Sequence, residues 1–148
     1  INRGFGGSHL SDSVAFVDRI VVPYQPKLVL LYAGDNDIAA GKTPEQVFAD
    51  FKSFVAKVRG ALPDTRIAYI AIKPSPSRVK LMDQFKTTNR LIQEFAGTDP
   101  KLIYVDVFTP MLGTDGQPRE EFFVADRLHL NEAGYKLWAG IVKPVLEK

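Results

Sequence analysis

The sequence predicts an α/β fold in which helices cover both faces of a parallel sheet. Three short apolar runs without polar alternation, residues 28–33, 67–72 and 102–107, indicate strands buried on both sides. Segments with helical periodicity precede and separate these runs, and one more follows a loop. Because such alternation is typical of right-handed βαβ crossovers, we expect a three-layer α/β/α sandwich.

The first two helices are predicted from apolar residues that repeat at helical spacing. The stripe of the first comprises Leu10, Val14, Val17 and Val21, and that of the second comprises Val47, Phe51, Phe54 and Val58. The second helix also has a start signal, since Thr43 can cap it, Pro44 suits its first position and Gln46 can complete a capping box.

The last two helices have weaker boundary signals. We expect the third to cover about residues 79–95 and the fourth to begin after Asn131, a good N-cap residue. Pro144 should limit the final turn of the fourth helix. Their inward residues are Leu81, Phe85, Ile92 and Phe95 in the third, and Gly134, Leu137, Trp138, Ile141 and Val145 in the fourth.

Composition narrows the functional classes. The chain has 148 residues, 45% of them hydrophobic, which suits a single domain over residues 1–148. It has no cysteine, and therefore no disulfide or thiolate site, and no apolar run approaches the roughly 18 residues of a membrane span. With 19 basic and 17 acidic residues the net charge is only +2, and no basic stripe indicates nucleic-acid binding. Compartment and oligomeric state stay open.

The first candidate site is Asp126-Arg127-Leu128-His129, just before the last helix. A carboxylate three residues ahead of an imidazole can accept its Nδ1–H and leave Nε2 free as a base. A surface histidine near a helix N-terminus would account for the same residues.

The second candidate, Gly34-Asp35-Asn36-Asp37, directly follows the first predicted strand. Ligands of open α/β sheets bind beyond the carboxyl ends of the strands, and the Asn36 amide offers two N–H donors for a developing oxyanion. A turn that simply closes the strand is the alternative.

The third candidate is the glycine-rich segment Asn2–Ser8 before the first helix. Its small residues would let backbone N–H groups approach a ligand, although an ordinary strand-to-helix turn is equally consistent. A phosphate cradle is not indicated, because the dinucleotide fingerprint and the Gly-Lys-Ser/Thr motif are both absent.

Taken together and in this order, the three motifs resemble the SGNH hydrolases, also called the GDSL-like lipase/acylhydrolase family. The resemblance implies a flavodoxin-like sheet, no cofactor, Gly7 and Asn36 as oxyanion-hole donors, and Asp126 and His129 as catalytic acid and base. The Gly-x-Ser-x-Gly elbow of the larger α/β-hydrolase family is absent.

One motif of the family has no match in these residues. Its first block, Gly-Asp-Ser with the nucleophilic serine, would lie on the first, central strand. Ser8 lies beside the expected oxyanion glycine, and the other serines fall in predicted helices or loops. We expect an upstream strand that carries the serine, because a sheet without it would keep an apolar gap and an unpaired edge. A catalytically inactive relative is the alternative.

The resemblance thus implies a serine esterase or acylhydrolase that cleaves carboxylic ester or thioester bonds of small or acylated substrates through an acyl-enzyme. A carbohydrate O-deacetylase of the same family and a nucleophile-less binding protein are the alternatives. No metal is expected, since the two histidines, His9 and His129, are far apart in sequence.

Other residues could border the substrate. Phe5, Ser8, Asp37 and Phe123 are candidates to line its site, although core packing would explain the phenylalanines as well. The loop that follows the second predicted strand contains Lys73, Ser75 and Arg78, and we expect these residues to contact either substrate or solvent.

Overall fold

A computed structural model of the protein describes residues 1–147. The described strands are β1 (Leu28–Leu31), β2 (Arg66–Ile70) and β3 (Leu102–Val105), and they form one parallel sheet in the order β1-β2-β3. The three predicted strands are therefore confirmed, but each ends two residues early. The apolar runs continue because Ile72 and Val107 are fully buried beyond the last ladder hydrogen bonds.

Four predicted helices are confirmed and a fifth, short one is added. The helices are α1 (Leu10–Ile20), α2 (Asp35–Ala39), α3 (Pro44–Ala61), α4 (Met82–Ala96) and α5 (Glu132–Leu146). A 3₁₀ helix, Pro76–Leu81, takes the place of the predicted first residues of α4. Pro144 lies within the last turn of α5, which ends two residues later.

The predicted start signals hold in detail. Thr43 Oγ1 accepts a hydrogen bond from Gln46 N at 3.3 Å, while Gln46 Oε1 accepts one from Thr43 N at 2.8 Å. Asn131 caps α5 by accepting a hydrogen bond from Gly134 N at 3.0 Å. Capping therefore fixes where both helices begin.

Helices lie on both faces of the sheet, which gives the three expected layers. Tyr69 of β2 stacks edge-on against Phe51 of α3, with ring centroids 5.1 Å apart. On the opposite face, Tyr32 beyond β1 makes an equivalent contact with Trp138 of α5, also at 5.1 Å. The alternation of side chains along each strand places these two contacts on different faces.

The two faces are not equally covered. Helix α3 packs against both α1 and α4 over a fully buried core, whereas the apolar face of α5 is only half-buried. Within the described residues β1 pairs only with β2, and Leu30 on the α5 face remains 39% exposed. None of the described helices is both long enough and apolar enough to cross a membrane.

Candidate active site

A cavity of about 920 Å³ follows the outer edge of β1 up to the carboxyl end of the sheet. Its lining includes Phe5, Gly7 and Ser8 from the N-terminal segment, and Asn36 and His129 at the carboxyl end of the strands. The fold thus brings residues from all three sequence motifs to one cavity.

The N-terminal segment reaches this cavity through a left-handed turn. Gly7 has φ +70°, a conformation that residues with a side chain rarely adopt, and α1 begins three residues later. Leu10 N donates a hydrogen bond to the buried carboxylate of Asp37 at 2.9 Å, which fixes the start of α1 next to α2.

The tight turn between β1 and α2 sets the direction of the Asn36 side chain. Gly34 has φ +121°, and a Cβ at this position would lie 2.9 Å from Ile72 Cδ1, so only glycine fits. The next residues enter α2 at once, which places the Asn36 side chain on the cavity side of this short helix.

The amide of Asn36 has two unambiguous partners. Its Oδ1 accepts a hydrogen bond from Arg78 Nη2 at 2.9 Å, and its Nδ2 donates one to the Ser8 carbonyl at 3.2 Å. Because a guanidinium only donates and a carbonyl only accepts, these contacts assign the two ends of the amide.

Three charged groups lie beside this amide. Asp35 Oδ2 is 3.3 Å from Lys73 Nζ and 3.1 Å from Arg78 Nη1. Burial lowers the pKa of Lys73, while the Asp35 carboxylate acts in the opposite direction. Lys73, Arg78 and the Asp35 carboxylate together carry a net positive charge next to the Asn36 amide.

Asp126 and His129 form a pair on a single exposed turn. Asp126 Oδ2 accepts the Nδ1–H of His129 at 2.5 Å, and its Oδ1 accepts the backbone N–H groups of Leu128 and His129 at 2.8 and 2.9 Å. The hydrogen bond from the His129 ring, followed by those from the two backbone groups, lowers the pKa of Asp126 to about 2. This arrangement leaves His129 Nε2 free to accept a proton.

The turn is held at its centre by Arg127, whose φ is +60°. Its backbone carbonyl accepts a hydrogen bond from Ser77 N at 3.1 Å, and its side chain pairs with Glu120. The loop after β2 therefore contacts both parts of the site: Ser77 binds the Asp126–His129 turn, and Arg78 binds Asn36.

Most of the chain matches the model of a known protein family. The model of the GDSL-like Lipase/Acylhydrolase family matches residues 1–137 of the chain. The chain belongs to this family. This membership makes the protein a hydrolase that acts on ester bonds and confirms the resemblance drawn from the three motifs.

Solved structures show the same fold. The chain is similar to a GDSL-like lipase from Bacteroides thetaiotaomicron, with a TM-score of 0.83, 21% identity, and coverage of 99% of this chain and 75% of that one. An acetyl-xylooligosaccharide esterase from Geobacillus Stearmophilus has a TM-score of 0.79 at 16% identity, with 97% and 70% coverage. A carbohydrate esterase family 3 protein from Talaromyces cellulolyticus has a TM-score of 0.74 at 19% identity, with 97% and 68% coverage. No curated protein sequence matches the chain.

Two residues that we expected to line the substrate site lie elsewhere in this acylhydrolase. The Asp37 side chain is 0% exposed and forms a 2.8 Å ion pair with Lys42. Its carboxylate also accepts the Leu10 N–H and so holds the start of α1. Phe123 packs in a small separate core with Met111, Phe122 and Leu130. Neither residue borders the cavity.

The loop after β2 also differs from expectation. Ser75 is buried and Arg78 binds Asp35 and Asn36, so neither borders the cavity. Lys73 is buried against Asp35 and is the one residue of the three that also lines the cavity. The sequence predicted a loop at this end of the second strand. It did not predict the partners of Lys73 and Arg78, which lie about 40 residues away along the chain.

Proposed function

We propose that this protein is a serine esterase that cleaves carboxylic esters of small acyl groups through an acyl-enzyme. One observation carries the proposal: Gly7, Asn36 and His129 border one cavity, and Asp126 holds the opposite ring nitrogen of His129. This is the arrangement of a general base and oxyanion donors around a reacting carbonyl.

Each residue has a distinct role in the proposed reaction. His129 Nε2 takes the proton of the attacking serine and later gives it to the leaving alcohol, while Asp126 stabilises the imidazolium. The Gly7 N–H and the second Nδ2–H of Asn36 bind the oxyanion of the tetrahedral intermediate. Water then hydrolyses the acyl-enzyme by the same route.

We further propose that the nucleophilic serine lies on a strand outside these 148 residues, which pairs with the outer edge of β1. The outer edge of β1, which pairs with none of the described strands, and the exposed Leu30 both border space where such a strand would fit. The structural relatives have further residues, because the chain covers 68–75% of their length.

A carbohydrate O-deacetylase is the second candidate. Two of the similar structures are a carbohydrate esterase and an acetyl-xylooligosaccharide esterase by name, which favours acetyl groups on sugars as substrates. Both candidates use the same residues, so only the substrate separates them.

The test uses the full-length protein with any residues that precede Ile1 in it. We expect hydrolysis of p-nitrophenyl acetate that falls as the acyl chain lengthens, and almost no hydrolysis by His129→Ala. Release of acetate from acetylated xylo-oligosaccharides at a higher kcat/KM would favour the deacetylase. A full-length protein whose mass equals that of these 148 residues, and that hydrolyses no ester, would establish the binding-protein alternative.

A further inference from the structure

The geometry points to Arg78 as a positioning residue for the reaction: its guanidinium holds the Asn36 amide so that one N–H faces the cavity. This inference rests on the proposed role of Asn36 as an oxyanion donor. Arg78 does not itself line the cavity, and it acts through its 2.9 Å hydrogen bond to Asn36 Oδ1.

The hydrogen bonds of Asn36 show why its orientation matters. A side-chain amide has two N–H donors on the same nitrogen. One of them donates to the Ser8 carbonyl at 3.2 Å, which leaves the second for a ligand in the cavity. If the amide rotated by half a turn, its carbonyl oxygen would face the developing oxyanion and repel it.

Arg78 opposes this rotation, because a guanidinium cannot accept a hydrogen bond from an N–H group. The cation also polarises the amide through its carbonyl oxygen, which strengthens the remaining N–H as a donor. Arg78 therefore selects the productive orientation and increases the positive potential where negative charge develops.

The guanidinium is itself held at a second point. Its Nη1 lies 3.1 Å from Asp35 Oδ2, the oxygen that also faces Lys73 Nζ at 3.3 Å. The other carboxylate oxygen, Asp35 Oδ1, accepts the backbone N–H of Asn36 at 3.0 Å. The guanidinium thus hydrogen-bonds the Asn36 side chain through Nη2 and forms an ion pair, without a hydrogen bond, to Asp35 through Nη1. The single ammonium of lysine does not offer two nitrogens for these two contacts.

The loop that carries Arg78 is held by buried contacts and backbone hydrogen bonds. Ser75 is 1% exposed, and its carbonyl accepts the Arg78 N–H at 2.9 Å, while Pro76 starts the 3₁₀ helix. Arg78 departs from helical geometry, with φ −115° and ψ 23°, and the 3₁₀ helix is kinked at this residue. Only 18% of the side chain is exposed.

The test is a double-mutant cycle between Arg78→Met and Asn36→Ala in the full-length protein, with kcat, KM and Tm measured for each variant. We expect Arg78→Met to lower kcat about 10- to 100-fold with KM changed less than about threefold, since misplacing a group acts mainly on the transition state. In the Asn36→Ala background, Arg78→Met should lower kcat by less than about threefold, because the amide that it positions is gone.

Two controls separate the outcomes. Arg90→Met removes an exposed arginine of α4 that pairs with Glu94, and it should leave kcat unchanged. Arg78→Lys keeps the charge but offers a single nitrogen, so its kcat should lie between those of the wild type and Arg78→Met. If Arg78→Met fails to fold, the same cycle is run with Arg78→Lys.

Failure of the inference and failure of the proposed function look different. If Asn36→Ala leaves kcat unchanged, the oxyanion role and the inference both fail. If Asn36→Ala lowers kcat but the Arg78 substitution has no effect, or the same effect in both backgrounds, Asn36 is a donor and Arg78 does not position it.

Discussion

The two halves of the candidate site are held in opposite ways. The oxyanion half, which contains Asn36, is held by partly buried contacts from distant parts of the chain. Arg78 and Ser8 hydrogen-bond the Asn36 side chain, and the buried Asp35–Lys73 ion pair lies next to it. The proton-transfer half lies at the surface, where the side chain of His129 is 74% exposed and its partner Asp126 belongs to the same turn.

The difference follows from what each half has to do. A donor that stabilises charge is most effective when it is already in place and needs no reorganisation, which long-range buried contacts achieve. A base that accepts and returns a proton needs a fixed tautomer and access to substrate, and a local carboxylate provides the tautomer. We therefore expect substitutions in the proton-transfer half to spare stability, and substitutions beneath the oxyanion half to reduce it.

The largest effect on turnover is expected at His129. His129→Ala removes the proposed base, and kcat of the full-length protein should fall by about 10³-fold or more. Because the side chain is exposed and, among the described residues, hydrogen-bonds only to Asp126, Tm should change little. A fall in Tm that accounts for the lost activity would mean that the two halves do not differ as described.

The next effect is at Asn36. Asn36→Ala should lower kcat about 100- to 1,000-fold, corresponding to about 2.7–4 kcal/mol, while KM changes little. The measurement is steady-state hydrolysis of p-nitrophenyl acetate, with Ser53→Ala as a control that should leave kcat unchanged, since Ser53 lies exposed on α3 away from the cavity. A variant that mainly raises KM would show that Asn36 binds the ground state.

Substitution of the buried Asp37, which holds α1 next to α2, should lower the stability of the fold. Asp37→Ala leaves the Leu10 N–H and Lys42 without their fully buried acceptor, and the free energy of unfolding should fall by about 2–3 kcal/mol. Asp50→Ala removes the more exposed carboxylate that Lys42 also contacts at 2.8 Å, and should cost less than about 1 kcal/mol. Equal losses in urea denaturation would contradict this contrast.

The smallest effect is a shift in the titration of Asp126. Its pKa of about 2 lies below the usual 3.8, first because of the hydrogen bond from the His129 ring. A lowered folded-state pKa stabilises the fold above about pH 4, and this contribution is lost as the pH falls towards 2. In His129→Ala, carboxyl NMR should show the midpoint moving upward toward 3.8. An unchanged midpoint would mean that the backbone N–H groups alone set the pKa.

The sequence predicted the fold better than it predicted the support of the site. Continuous apolar runs identified all three described strands, yet Ile72 and Val107 extended them wrongly, since burial without ladder pairing has the same pattern. Helix α2 was missed because it is only five residues long and directly follows Gly34, a residue with positive φ.

The motif residues were visible because each stands in a short local pattern. The contact between Arg78 and Asn36 joins residues 42 positions apart, and no local pattern encodes it. Asp37 was misplaced for the same reason, because its partner Leu10 is 27 positions away. Local motifs thus locate the reacting groups, whereas the long-range contacts that fix them require the fold.

Covalent labelling tests the central claim most directly. The full-length protein and its His129→Ala variant are treated with a fluorophosphonate, which modifies an activated serine, and the labelled peptide is identified by mass spectrometry. We predict one label on a serine outside residues 1–148, and its loss in His129→Ala. A label on Ser8, or labelling that does not depend on His129, would contradict the proposed site.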